Sequence, residues 1–211
     1  MTFLALAKFM LLAFAVDLAK SHSVLTFAGM GTEGTANGVG TLAQFKQPLG
    51  LCFDPNGTLY MSELNRIRKI TQDRVVSTFA GSSLAGFSDG GSPSFNGPIG
   101  ISCDANGNVF VADCFNKKIR KINSTGFSSS LAFGYGLTTA VFFDNVTGDV
   151  FFAENDNLKI MRIAPNGNVS LLAGMGFLLS TNEITRFNTR TKEEQEDFKT
   201  GSDQRRSLAM F

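Results

Sequence analysis

The chain has 211 residues, of which 43% are hydrophobic and 18% are charged, and its formal net charge is +1 at pH 7. A chain so close to neutrality has no broad basic field, which argues against nucleic acid as its partner. It contains 21 Phe, no Trp and a single His, His22. A catalytic zinc site typically takes three protein ligands, so the single histidine argues against a histidine-based zinc enzyme.

The first 23 residues have the features of a secretory signal peptide. The apolar run FMLLAFAV (residues 9–16) is too short to span a bilayer, which needs about 20 residues. Small residues at Ala19, Ser21 and Ser23 offer the spaced pattern of a cleavage site. We expect a signal peptide over 1–23 and a mature chain that begins between Ser21 and Val24. The alternatives are an uncleaved anchor and a misassigned start; the sequence after the leader predicts no membrane span.

Three copies of one pattern follow, with a period of about 40–50 residues; they cover residues 49–70, 99–122 and 140–163. Each copy has an apolar run, a turn such as Asp-x-Asn-Gly, a second apolar run that ends in an acid, and a third run. A fourth run, such as VSTFAG, comes next. Turns at this spacing join antiparallel strands as hairpins. The pattern therefore predicts an all-β protein with three four-stranded propeller blades, at about 49–81, 98–133 and 139–174.

The segments GNVFVADCFNKKIRKI, VSTFAG and FNGPIGISCD resemble NHL repeats, and the resemblance covers 24–174. It implies a β-propeller, six-bladed in typical members. The leading segment Val24–Gly29, VLTFAG, repeats the fourth-strand phrase. In the family such a strand completes the last blade and closes the ring. Three blades are half of six, so we expect a partial or open propeller whose apolar end faces favour self-association, in a chain cut short after blade three.

Long polar connections precede the first and second copies, at residues 31–48 and 81–98. Asn37-Gly38 and Asp89-Gly90 hold equivalent turn positions in them. Phe45 and Phe95 also correspond, and we expect both to fill the interfaces between blades. The third copy almost lacks this connection.

Recurring acids are candidates for a binding role. Asp54, Asp104 and the stretch 144–149 look like the opening of a calcium loop, but no Glu stands twelve positions on, so a hairpin turn is favoured. A second set ends the second strand of each copy and could line a cation-binding rim or accept backbone and arginine hydrogen bonds. The structural role is favoured for this set, which comprises Glu63, Asp113 and Glu154, with Arg68, Arg120 and Arg162 as potential donors.

The three cysteines show no CxxC spacing. Strand register separates Cys103 from Cys114 by roughly 20 Å, too far for a bond. Cys52 and Cys103 stand one place apart in equivalent first strands, so they are expected to face opposite sides. The sequence thus predicts buried, unpaired cysteines and no disulfide framework.

Four N-glycosylation sequons fall in or beside predicted turns, where a glycan can be accommodated. Together with the leader they favour the secretory route. The acceptor residues are Asn56, Asn123, Asn145 and Asn168.

Residues 175–211 contain no further blade and are dense in charges of both signs, which predicts a disordered or helical solvated tail.

We expect a secreted or extracellular binding module that acts as a protein-interaction scaffold, without catalysis, cofactor or metal. Its partner is an unidentified protein or glycan on a propeller face. One alternative is the truncated sensor ectodomain of a membrane receptor. Another is a metal-dependent lyase of the amidating type, which uses this propeller in the resembling family.

Overall fold

A computed structural model describes residues 24–174. The predicted signal peptide and the predicted tail lie outside these residues. Strands dominate the described part of the chain, with two 3-10 helices at Gly40–Leu42 and Cys114–Asn116. The strands are β1 (Gly38–Val39), β2 (Pro48–Phe53), β3 (Leu59–Glu63), β4 (Arg66–Ile70), β5 (Val75–Gly81), β6 (Pro98–Cys103), β7 (Val109–Asp113), β8 (Lys118–Ile122), β9 (Ser128–Phe133), β10 (Thr138–Phe143), β11 (Val150–Glu154), β12 (Lys159–Ile163) and β13 (Val169–Ala173).

The strands form three antiparallel sheets, and within each blade every strand pairs with the next along the chain. Blade one contains β2 to β5, blade two β6 to β9, and blade three β10 to β13. This arrangement confirms the predicted all-β class and the three four-stranded blades of an open propeller. Blade one has an addition that the sequence analysis did not predict, because the short β1 pairs with the outer strand β5.

The predicted leading strand at Val24–Gly29 is wrong. This segment forms no strand, and Val24 and Leu25 are 99% and 84% exposed. A strand is stable only when its backbone N–H and C=O groups pair with a neighbour. Within 24–174 no outer strand is left unpaired beside this segment, and β1 takes the edge of β5 instead.

The blades stack face to face, with their first strands side by side. Ser62 Oγ accepts a hydrogen bond from Gly50 N at 2.9 Å and donates one to the Ile99 carbonyl at 2.6 Å, so it joins blades one and two. Ser102 Oγ likewise accepts a hydrogen bond from Phe143 N of blade three. A Cβ atom on Gly100 would stand 2.8 Å from Ala140 Cα, which explains why glycine is required at this close approach.

Apolar side chains fill both blade interfaces. Because the middle strands are covered on two sides, they lack polar–apolar alternation, and every residue of β7 is buried. Phe95 is fully buried in the core between blades one and two, as expected, whereas Phe45 packs at the outer face of blade one. The first core contains Tyr60, Ile67, Ala80, Phe95, Ile101, Val109, Val111 and Ile122; the second contains Phe110, Ala112, Ile119, Ala132, Val141, Val150, Phe152, Met161 and Ile163.

Cys52 and Cys103 form a disulfide, with a Cα–Cα distance of 5.7 Å, so the prediction of unpaired cysteines was wrong for this pair. The two side chains do point to opposite sides of equivalent strands. In a stack of blades, however, the front of one blade meets the back of the next, so opposite sides are the ones that face each other. Cys114 is free and buried.

Candidate functional site

The described blades present two faces that are made by different connections. The first strands of neighbouring blades run in the same direction, since residues 50 and 52 approach 99 and 103 respectively. Corresponding strand ends therefore lie together. The turn face consists of the connections between strands one and two and between strands three and four, at 54–58, 71–74, 104–108, 123–127, 144–149 and 164–168. The loop face consists of the remaining connections, at 40–47, 64–65, 82–97, 114–117, 134–137 and 155–158.

All four predicted glycosylation sites lie on the turn face. Three of the acceptor asparagines are exposed and Asn123 is half-buried. In the described residues, none of the four donates a hydrogen bond through its side-chain nitrogen, whereas Asn65, Asn108 and Asn116 do. A glycan replaces one hydrogen of that nitrogen, so each site could carry one without losing a hydrogen bond.

The aspartates of the turn face bind the backbone of their own turns. Asp54 Oδ1 accepts hydrogen bonds from the backbone N–H groups of Asn56 and Thr58, at 2.9 and 2.8 Å. Asp104 repeats this arrangement. Asp144 accepts hydrogen bonds from Thr147 Oγ1 and from Val146 N, which hold the pKa of Asp144 below its usual value. Such contacts favour a hairpin turn at each place.

In blade one, the recurring acid and arginine anchor the long connection. Arg68 Nη1 lies 2.7 Å from Glu63 Oε1, and both side chains are fully buried. The same guanidinium donates to the carbonyls of Gln44 and Ala36 and to the side chain of Asn37. The connection is thereby held against the sheet.

Blade two has an equivalent buried acid–arginine pair, in which the arginine also binds a second acid. Arg120 Nη1 lies 2.9 Å from Asp113 Oδ2, and both side chains are fully buried. Arg120 also binds Asp89 at 2.7 Å and the carbonyls of Ser88 and Ser94. Burial raises the pKa of Asp113. This effect outweighs the hydrogen bonds from Asn116 and from Asn96 N and the charge of Arg120, all of which lower that pKa. Asp89 in turn accepts bonds from the backbone and hydroxyl of Ser130 in the outer strand.

Blade three lacks this anchor. Glu154 is buried, and its Oε1 accepts a hydrogen bond from Gly136 N at 2.6 Å. Arg162 instead pairs at 2.7 Å with Asp149, whose pKa it lowers, and the Arg162 side chain is 42% exposed. The reason is the short connection at 134–137, which offers a buried arginine no loop carbonyls to bind.

Asn37 and Asp89 were predicted to lie in equivalent turns but were not predicted to be arginine partners. Each stands 31 residues before its arginine. That shared spacing, absent from blade three, was the signal that could have revealed them.

Two features of the described residues bear on whether a metal or a ligand could be held there. Within 24–174 no cluster of three or more His, Cys, Asp or Glu side chains could hold a metal ion. An open groove of about 750 Å³ lies beside blade one, lined partly by residues 28–33 and Phe45. Its acid, Glu33, is paired with Lys46 at 2.5 Å.

Cys114 is expected to be unreactive in the folded protein. It is buried, and its pKa is raised by burial and by the nearby carboxylates of Asp156 and Asp113. Because the thiolate is the nucleophile, iodoacetamide at pH 7.5 should leave Cys114 unmodified until denaturant is added, as measured by mass spectrometry. Rapid native labelling would show that this thiol is accessible.

Comparisons with known proteins support the fold and give no further detail. No protein-family model matches the chain. A segment of 96 residues is 35% identical to the protein SUPPRESSOR OF QUENCHING 1, chloroplastic, of Arabidopsis thaliana, covering 43% of this chain but 9% of that protein. The gluconolactonase XC5397 of Xanthomonas campestris superimposes with a TM-score of 0.52 at 14% identity, over 63% of this chain and 49% of its own. Virginiamycin B lyase of Staphylococcus aureus gives 0.47 at 18% identity, over 61% and 41%.

The three stacked blades, together with the superposition on the gluconolactonase, show that the chain contains a β-propeller module. The chain spans less than half the length of these two solved structures. In the described residues, no helix has the length and apolar character needed to cross a bilayer.

Proposed function

We propose that the chain is an NHL-type β-propeller module of the secretory route that binds a partner protein and has no catalytic activity. The observation that carries the secretory part of this proposal is the disulfide between Cys52 and Cys103, which joins blades one and two. Disulfides persist in oxidising compartments and are rare in the cytosol. The four sequons on exposed turns of a single face point to the same compartment.

A binding role agrees with how the polar groups of the blades are used. The acids that end the second strands are engaged in arginine pairs or backbone hydrogen bonds, and the turn aspartates bind their own backbones. Stacked blades form a rigid scaffold, and loops on such a scaffold commonly carry binding sites. A sensor ectodomain would use the same surface and would differ in what is attached to the module.

The compartment is testable by expression in a eukaryotic secretory system. We expect a secreted protein without residues 1–20, with glycan on at least Asn56 or Asn123, so an endoglycosidase should increase its electrophoretic mobility. The control replaces all four acceptor asparagines with Gln and should show no shift. A cytosolic, unglycosylated protein that retains Met1 would contradict the proposal.

A further inference from the structure

Blade two carries a cluster of exposed aromatic side chains around a lysine. Lys118 Nζ lies 4.2 Å from the ring centroid of Phe87 and 4.9 Å from that of Phe133. These distances are within the range of cation–π attraction. Phe87 is 50% exposed and Phe133 is 70% exposed. We call these three residues the Phe–Lys patch; it lies at the edge of the loop face.

Several contacts hold the patch in place. The ring of Phe87 lies 5.0 Å from the guanidinium carbon of the buried Arg120. Next to it, the Gly86 carbonyl accepts a hydrogen bond from Asn116 Nδ2 at 2.8 Å, and Gly86 N donates to the Phe95 carbonyl. The exposed ring therefore belongs to an ordered loop whose backbone is tied to the blade.

The repeat itself does not require the patch. Phe133 stands opposite Lys118 in the pairing of β8 and β9. In blade one the corresponding pair is Arg66 and Gly81, and in blade three glycine again follows the fourth strand, at Gly174. Only the middle blade of the three therefore places a large aromatic side chain there. Blades one and three flank this blade on both broad sides, so a missing neighbour does not explain the exposure.

The charges around the patch favour an acidic occupant. None of the ion pairs within residues 24–174 involves Lys118. Asp113, which stands opposite Lys118 in the pairing of β7 and β8, is already engaged with Arg120, and so is Asp89. Lys117, the preceding residue, is exposed, and Lys118 is half-buried. A carboxylate from outside would meet a cation that forms no ion pair with residues 24–174 and lies beside two apolar rings.

We propose that the Phe–Lys patch is a docking site for a partner protein, through a segment that presents a carboxylate next to apolar side chains. This rests on the proposed binding function and adds the location and the chemistry of the partner. The position of the sequons supports the choice of face, because all four lie on the turn face. The exposed Phe127 of that face adjoins Asn123, whose Oδ1 accepts its backbone N–H, so a glycan at Asn123 would cover that ring.

The test uses a phage-displayed library of random 12-residue peptides, selected on the full-length protein as secreted. We expect enriched peptides that combine Asp or Glu with aromatic or branched apolar residues. Their affinity should fall at least about tenfold for the Phe87→Ser/Phe133→Ser double variant and for Lys118→Glu. Phe127→Ser, an equally exposed phenylalanine on the turn face, is the matched control and should leave affinity unchanged.

Three outcomes would overturn the docking site. Peptides that bind the double variant as well as the original protein would place binding elsewhere. Enrichment of neutral or basic peptides would exclude the acidic partner. Binding that appears only after deletion of 175–211 would show that this segment of the chain itself occupies the patch. If the protein carries no glycan but still binds the peptides through the patch, only the proposed secretory compartment is contradicted.

Discussion

Replacing Arg120 with Met is expected to lower the free energy of unfolding by about 3–5 kcal/mol, because it leaves the fully buried carboxylate of Asp113 without its cation. The change also removes the donors that satisfy the carbonyls of Ser88 and Ser94. For a domain of this size such a loss corresponds to a fall in Tm of roughly 6–20 °C. Thermal unfolding followed by circular dichroism would measure it.

Arg162→Met is the matched control, since Arg162 occupies the equivalent strand in blade three but its side chain is 42% exposed. Asp149 is itself only 5% exposed, but solvent reaches the Arg162 end of the pair, so this variant should lose clearly less stability than Arg120→Met. A double variant, Asp113→Asn/Arg120→Met, should recover part of the stability because the uncompensated charge is gone. Equal losses for Arg120→Met and Arg162→Met would show that burial of the pair is not what makes it important.

The contrast between the blades explains why an arginine is buried in two of them. In blades one and two the guanidinium groups of Arg68 and Arg120 pair with the acid that ends the second strand. They also donate hydrogen bonds to carbonyls of the preceding connection. Blade three has four residues in that connection, from 134 to 137, and Glu154 binds the connection directly through Gly136 N. Loop length thus determines whether the acid needs a buried arginine partner.

Much of the fold could be predicted because the repeat shows itself in local patterns. Turn residues at Asn56-Gly57 and Asn106-Gly107 fix hairpin positions, and both glycines have positive φ. Burial of strands such as β7 on both sides follows from blade stacking. The failures concern relations between segments. The segment at Val24–Gly29 has the composition of a strand but finds no free partner, and a strand is defined by its partner as much as by its residues.

The prediction that Cys52 and Cys103 are unpaired was wrong for a related reason. Alternation along a strand gives the side of its own sheet to which a residue points. It correctly predicted that Cys52 and Cys103 point to opposite sides of their sheets. Whether two such sides meet depends on how the sheets stack, which alternation within one strand does not determine. The Phe–Lys patch was missed similarly, since Phe87 and Phe133 lie 46 positions apart and meet only when the connection folds onto blade two.

Removal of the disulfide by Cys52→Ala/Cys103→Ala is expected to cost about 2–4 kcal/mol, or roughly 4–16 °C in Tm. The bond closes a loop between residues 51 positions apart and so restricts the unfolded chain. It also joins the first strands of blades one and two, so its loss should act on the interface between these blades. Differential scanning calorimetry of the secreted protein would measure the change.

Reducing agent supplies the control for this prediction. Dithiothreitol should lower the Tm of the original protein toward that of the double alanine variant and should leave that variant unchanged. Cys114 should not contribute to the effect of the reductant on Tm, because it is buried and takes no part in the bond. If the double variant has the same Tm as the original protein, the bond contributes nothing to the stability of the stacked blades. If reductant also destabilises the double variant, the effect of reductant arises from something other than the Cys52–Cys103 bond.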